Sequence, residues 1–529
     1  MARKPTDAEI MQRANQAHAF ASRNQLSQAA GTLGPVMPHA MHLINVVELF
    51  ASIRAGQSQH VEAVELYKHV LKAEHHNTRA RHRLAICLRR AGRVEDAMAQ
   101  INRLRETDPW NISYAVTLAD AHEVLGQHEE AAAMLRDVEA NRDLSECTPE
   151  EQARVLTMWL ILEPTEERAE QAASMARDKT DLHPEIRSSL FTRVGGFFQK
   201  RASKNGNAPG DVDRAFGAFG EAKTARRLAF EPAAHSKRVG GLVQFWTSAA
   251  ARSLPKTDRD GSGFVFIVGM PRSGTSLLEQ MLGRLPGVAP LGERAGIVRL
   301  VGGLNFPGGQ HLEPMLDRVG LYSEANLAEV MPKIMAEYEQ AAEEYDPDPA
   351  GRRVLVDKQC FNFYHLPVIA RVLPGAKVIH IRRNPCDTAL SCFSQWFNNQ
   401  YHFVKDMHTL GSYYREYRRA IEAFRKLPAP DERPEMIDVR YEDLVTDPGG
   451  SIRPVLEFLG LPWDDRVLAP EQAERIVMTA SRHQVKKSIN TSAVQRWRPY
   501  AEHMQPFLDA IGPDLAAEAG VEPTGSRPA

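Results

Sequence analysis

Phe264-Val-Phe-Ile-Val268, followed by Gly269-Met-Pro-Arg-Ser-Gly-Thr-Ser276, is the stretch whose reading decides the fold of this 529-residue chain. Its first five residues are a continuous apolar run, the pattern of a strand buried on both faces of a parallel sheet. The next eight are rich in glycine and hydroxyl residues. Leu277-Leu-Glu-Gln-Met-Leu-Gly-Arg-Leu285 then carries helical apolar spacing. Strand, glycine-rich loop and helix in that order build an anion site, because backbone N–H groups and the helix N-terminus converge on one point.

Gly269 and Gly274 have the spacing of a Walker A loop, but Thr275 stands where a nucleotide triphosphatase carries its lysine. The cation sits inside the loop instead, as Arg272. Such a loop can hold a terminal phosphosulfate without a γ-phosphate or Mg²⁺. A second signal lies about 110 residues on. Ala376-Lys-Val-Ile-His-Ile-Arg-Arg383 reads as a short strand ending in two arginines, and Asn384-Pro385 starts a helix that carries Ser391. Arg383 and Ser391 can converge on one phosphate.

At these two sites the chain resembles the sulfotransferases that use 3′-phosphoadenylyl sulfate (PAPS) as donor and release adenosine 3′,5′-bisphosphate (PAP). Arg272, Ser273, Gly274, Thr275 and Ser276 resemble that family's 5′-phosphosulfate loop. The stretch from Arg383 to Ser391 resembles its 3′-phosphate motif. The resemblance covers roughly residues 260–505, and the whole chain looks like bacterial sulfotransferases fused to tetratricopeptide repeats. It implies a catalytic role for Lys358, which follows the strand Val354-Leu-Val356. It implies an adenine contact for Tyr441 after the strand Met436–Arg440. Ser481 and Arg496 fall in segments resembling the family's C-terminal donor-binding region.

Transfer to a hydroxyl needs a base for the acceptor proton and positive charge near the bridging oxygen. The small-molecule branch of the family places a His two residues after its Lys, but here Gln359 and Cys360 follow Lys358. The tyrosylprotein branch uses a Glu after the first helix, and Leu291-Gly-Glu293 lies at the matching distance. The resemblance thus implies Glu293 as base, with Lys358 and Arg272 as its catalytic partners and a protein tyrosine as acceptor. Arg294-Ala-Gly296 departs from that branch's pattern, so a carbohydrate or small-molecule hydroxyl stays open as the acceptor. Arg294 and Arg299 could favour an acidic acceptor. His365 is an alternative base, His380 reads as a core histidine, and Trp396 and Phe397 read as core.

The first half repeats with a period of 34. Ala17, Ala51, Ala85 and Ala119 share one phase, and Ala29, Ala63, Ala97 and Ala131 another. Ser58, Gly92 and Gly126 mark the turns, and Tyr67, Ile101 and Leu135 the second helices. This is the period of tetratricopeptide helix–turn–helix units, which stack because one unit cannot bury its own apolar face. The expected organisation is a helical repeat domain over 1–245, clearest at 44–145, a linker at 246–263, an α/β domain with a parallel sheet at 264–515, and a disordered tail at 516–529. The repeats either recruit a protein or peptide acceptor or cover the catalytic domain.

Composition sets the outer limits. Lys plus Arg total 65 against 67 Asp plus Glu, a formal net charge of -2, so nucleic acid is not an expected partner. The five cysteines, Cys87, Cys147, Cys360, Cys386 and Cys392, have no metal-site spacing. They read as free thiols, and no metal is expected. No apolar run suggests a secretory signal or a membrane span, which makes the cytoplasm the expected compartment. The pattern leaves the oligomeric state open. Two other readings compete: a nucleotide-dependent kinase on the same loop architecture, disfavoured by the missing lysine, and a non-catalytic repeat adaptor, disfavoured by the presence of Arg272, Lys358, Arg383 and Ser391.

Overall fold

The computed structural model describes residues 3–23, 25–57, 59–294, 296–302, 323–345, 354–397, 401–472 and 489–521. The chain forms two compact units that divide after Arg226. In the first, helices start at Ile44, Thr78 and Ile112, and their antiparallel partners start at His60, Val94 and His128. Both series advance by the same step as the alanine repeat. The alanines explain the packing: Ala51, Ala85 and Ala119 in one series and Ala63 and Ala131 in the other are wholly buried, and Ala97 nearly so. Their methyl groups let neighbouring helices approach closely, while Tyr67, Ile101 and Leu135 fill the space between pairs. Asn77 and Asn111 cap two of the repeat helices by accepting from the backbone N–H of Ala80 and Tyr114. Beyond the periodic region the helical layer continues through Pro149–Leu162, Glu166–Asp178, Pro184–Lys204 and Pro209–Ala225.

The repeat domain therefore ends before residue 245. The helix Pro232–Trp246 packs on Met407–Arg425 in the second unit. Its His235 stacks on Tyr413 with ring centroids 4.8 Å apart and hydrogen-bonds the Tyr364 hydroxyl at 3.2 Å. An amphipathic pattern shows that a helix has an apolar face but not which core receives it, hence the misplaced boundary. The segment expected as a linker is also tied down: Thr257 N donates to Arg371 O at 2.9 Å and Gly261 N to Pro374 O at 2.7 Å.

Among the described residues the sheet of the second unit has five parallel strands, β1 (Phe264–Val268), β2 (Val288–Gly292), β3 (Val354–Asp357), β4 (Lys377–Arg382) and β5 (Glu435–Arg440), in the order β2-β3-β1-β4-β5. β1 lies at the centre, paired through Val265↔Val356 on one side and Ile267↔Ile379 on the other. That position accounts for its uninterrupted apolar run. The chain moves to one side of β1 for β2 and β3 and to the other for β4 and β5, so the strand order reverses there. Crevices at such switch points, outside the carboxyl ends of the strands, are where open α/β sheets bind ligands. The expected disordered tail needs correction at its start: Pro513–Glu518 is helical, and Glu518 holds Arg418 through two bonds of 2.6 and 3.0 Å.

Candidate functional site

Each of the five strands delivers a residue singled out in the sequence to the same edge of the sheet. β2 ends at Gly292, just before Glu293; β3 at Asp357, just before Lys358; β1 runs into the loop that holds Arg272; β4 ends just before Arg383; and β5 just before Tyr441. Strand order sets their sequence in space. Glu293 and Lys358 lie together at one side, the glycine-rich loop in the middle, and Arg383 and Tyr441 at the other side.

On the Arg383 side, three arginines from distant segments gather at the glycine-rich loop. Arg272 Nε donates to Ser391 Oγ at 3.1 Å, and Arg383 Nη1 donates to the Arg272 carbonyl at 3.0 Å. Arg383 also donates to Ala493 O, and its guanidinium lies 4.8 Å from the centre of the Tyr441 ring. Arg496 joins them because Asp387, on the helix Pro385–Phe393, accepts from the backbone N–H of Gln495 at 2.7 Å and of Trp497 at 3.0 Å. Burial, followed by the neighbouring charges of Arg383 and Arg496, pushes the Arg272 guanidinium down to about 10. Burial and Arg383 likewise lower Arg496, while Tyr500 and Asp387 oppose them. In both arginines burial is the first cause, because it disfavours the charged form.

The loop has the geometry for one. Arg272 adopts φ 70, a left-handed conformation costing a non-glycine residue about 1–2 kcal/mol, which turns successive N–H groups toward a common side as in anion-binding nests. Gly274 has φ 106, and a Cβ there would sit 2.5 Å from Tyr441 Cδ2. Glycine is what lets the tyrosine ring close over the loop. Thr275 begins the helix Thr275–Leu282, and its hydroxyl lies 3.5 Å from Cys360 Sγ. Ser273 Oγ and Arg383 Nε are buried with no partner among the described residues.

On the other side, Lys358 Nζ lies 2.7 Å from Glu293 Oε1 and 4.0 Å from Glu279 Oε2. The Lys358 side chain is wholly buried, whereas Glu293 is 43% exposed. Burial alone would lower the ammonium, but Glu293 and Glu279 outweigh it and hold Lys358 above its ordinary value. Before it, burial pushes Asp357 up to about 6, although the Tyr338 hydroxyl donates to it at 2.7 Å and Gln359 N at 2.8 Å.

Glu279 and Asp387 were not foreseen. The signal for Glu279 was a carboxylate set among Leu278, Met281 and Leu282, all of which are buried; a charge on the buried face of a helix implies a partner. His365 is 2% exposed, and burial pushes its imidazolium down to about 4. His380 is the core histidine expected: it is wholly buried, pairs with Asp438 at 2.7 Å and bonds the Tyr417 hydroxyl. Phe397 is buried and stacks on Tyr401 with centroids 4.3 Å apart. Arg294 donates to Leu291 O at 2.7 Å. Ser481 and the Arg299 side chain lie outside the described residues. Those residues hold no group of three or more His, Cys, Asp or Glu arranged to bind a metal, and no helix long and apolar enough to cross a membrane.

Residues 265–465 match the Sulfotransferase family model, and residues 54–115 match a tetratricopeptide repeat model. An uncharacterised protein of Aquifex aeolicus is 30% identical over 315 residues, 57% of this chain and 39% of that protein's length. Protein-tyrosine sulfotransferase 1 of Danio rerio is 28% identical over 275 residues, covering 50% of this chain and 74% of the relative. A solved sulfotransferase domain from the Synechococcus PCC 7002 olefin synthase is 24% identical with a TM-score of 0.34, covering 51% of this chain and 97% of that one. This chain carries a tetratricopeptide-repeat region followed by a sulfotransferase-family domain.

Proposed function

We propose that the protein transfers a sulfuryl group from PAPS to an acceptor hydroxyl, a protein tyrosine, with Glu293 as general base. The observation that carries this reading is the cluster of Arg272, Arg383 and Arg496 around the glycine-rich loop, one strand away from the Lys358–Glu293 pair. A doubly phosphorylated nucleotide would bring negative charge to these three cations. Ser273 Oγ and Arg383 Nε would gain partners in its phosphate oxygens, and Tyr441 lies beside Arg383, where an adenine can pack. The donor supplies an activated sulfur–oxygen bond. On this reading Arg272, Ser273, Gly274, Thr275 and Ser276 hold the 5′ end, Arg383 and Ser391 the 3′-phosphate, and Arg496 and Ser481 complete the donor contacts.

Glu293 would accept the acceptor hydroxyl's proton as that oxygen bonds to sulfur. Lys358 stabilises the electron pair left on the bridging oxygen as its bond to sulfur breaks. Their separation of 2.7 Å makes each the other's resting partner, and the exposed side of Glu293 leaves it open to an incoming hydroxyl. The family's use of PAPS supports the donor, and the likeness to protein-tyrosine sulfotransferases of Danio rerio and Caenorhabditis elegans supports the acceptor. The repeat region would recruit the protein acceptor. The test is transfer of labelled sulfate from PAPS to tyrosine peptides, glycans and small phenols. Labelling of glycans alone would move the acceptor to carbohydrate.

A further inference from the structure

We infer that Glu279 is a positioning residue for the transfer: it locks the turn that presents Glu293 and keeps a carboxylate against Lys358 when Glu293 takes up the acceptor proton. This rests on the reading of Glu293 as base. The β2–β3 register shifts between Pro290 and Gly292, an irregularity of the bulge type that takes backbone groups out of the ladder. Glu279 Oε1 accepts the Gly292 N–H at 2.8 Å, while the Gly292 carbonyl accepts from Lys358 N at 2.9 Å. Gly292 has φ 74, which a side chain resists, and the turn it makes sends Glu293 back to Lys358. A buried carboxylate from the neighbouring helix thus fixes both the direction of the base and its distance from the lysine.

The same carboxylate has an electrostatic role. Lys358 is faced by Glu293 at 2.7 Å, by Glu279 at 4.0 Å and by the Cys360 thiol. Burial pushes that thiol up to about 11, so it stays neutral near pH 8. Once Glu293 holds a proton it is neutral, and Glu279 is the remaining negative group of the three. A buried ammonium without a carboxylate tends to lose its proton, and a neutral lysine cannot stabilise the bridging oxygen.

Two measurements on the full chain test this. The first follows the Lys358 amine by NMR in lysine-labelled protein, assigned with Lys358→Arg, and needs neither donor nor acceptor. Glu293→Gln imitates the protonated base, and in it Lys358 should stay charged through pH 9. In Glu293→Gln/Glu279→Gln it should lose its proton below pH 9. Identical titration of Lys358 in the two proteins overturns the electrostatic role. The second measures sulfate transfer from PAPS to a tyrosine peptide by Glu279→Gln, whose amide oxygen can still accept the Gly292 N–H. Its kcat should fall about tenfold with the peptide KM and PAP affinity unchanged, and Glu279→Ala should fall further. Unchanged kcat in Glu279→Gln contradicts the proposal. If the wild-type protein transfers no sulfate, the sulfotransferase reading fails, and the NMR titration still decides the role of Glu279.

Discussion

Lys358 and Glu293 meet at 2.7 Å across the ends of two adjacent parallel strands, the lysine wholly buried and the glutamate half open. The asymmetry assigns their work. The buried member keeps its charge and place, and the open member can exchange its partner for an acceptor hydroxyl. Glu293→Gln should leave PAP affinity nearly constant and lower single-turnover sulfate transfer by roughly 10²–10⁴, the range for losing a general base. Lys358→Ala should also lower it, and the two losses should not multiply because both act on one transition state. His365→Ala should stay within a few-fold, since that imidazole is only 2% exposed and closed to an incoming acceptor. Collapse in His365→Ala with near-normal transfer by Glu293→Gln would put the base on His365.

Asp357 gives a stability signal with a defined sign. Its folded-state value of about 6 stands above the ordinary 3.8, so the folded protein holds a proton that the unfolded chain releases. That contribution is fully present below the unfolded value and is lost as pH rises through the folded one. Asp357→Asn removes the titration. Relative to wild type, the variant should gain stability between about pH 4 and pH 6 and run parallel to it above pH 7, as read by denaturant unfolding across pH. A constant difference over that window would show that burial does not govern this carboxyl.

The unit boundary after Arg226 predicts how the chain can be cut. A protein starting at Arg227 retains the helix Pro232–Trp246, with His235 against Tyr364 and Tyr413, and should stay soluble and bind PAP. One starting at residue 250 loses that helix and uncovers Tyr413 and Phe230's neighbours, so it should aggregate or melt at lower temperature. Equal melting temperatures for the two would mean the helix adds nothing to the catalytic unit.

Much of this was legible in the sequence because period and order are carried by side chains of unmistakable type. Alanines at a 34-residue step can pack in few ways, and a buried strand running into a glycine-rich loop and helix has one common use. Arg383 and Ser391 were legible for the same reason, each placed by a strand end or a helix start. Glu279 was only half legible: a carboxylate among Leu278, Met281 and Leu282 implies a partner without naming it, and the partner is the Gly292 N–H, a backbone group at the β2–β3 register shift. Asp387 was hidden similarly: its partners, Gln495 N and Trp497 N, are backbone groups about 110 residues away, and no side-chain pattern announces a backbone donor. Periodicity describes a helix face and not its destination, so the helix Pro232–Trp246 reads as a continuation of the repeats although it packs on Met407–Arg425 in the second unit.

Arg383 and Ser391 should report the 3′-phosphate in particular. Arg383→Ala should weaken PAP binding by about 1.5–3 kcal/mol, the worth of hydrogen bonds to a charged group, and Ser391→Ala by less. Binding of adenosine diphosphate, which lacks the 3′-phosphate, should change little in Ser391→Ala. Equal losses for both nucleotides would place Ser391 away from that phosphate.

Whether the arginine cluster holds PAP separates a sulfotransferase from a kinase. Isothermal calorimetry of the full-length protein with PAP, against ATP with Mg²⁺, decides it. The structure predicts saturable PAP binding without added metal, weakened in Arg383→Ala, and no comparable binding of ATP with Mg²⁺. Tight ATP binding that needs Mg²⁺, with none for PAP, would contradict the sulfotransferase reading and favour a kinase.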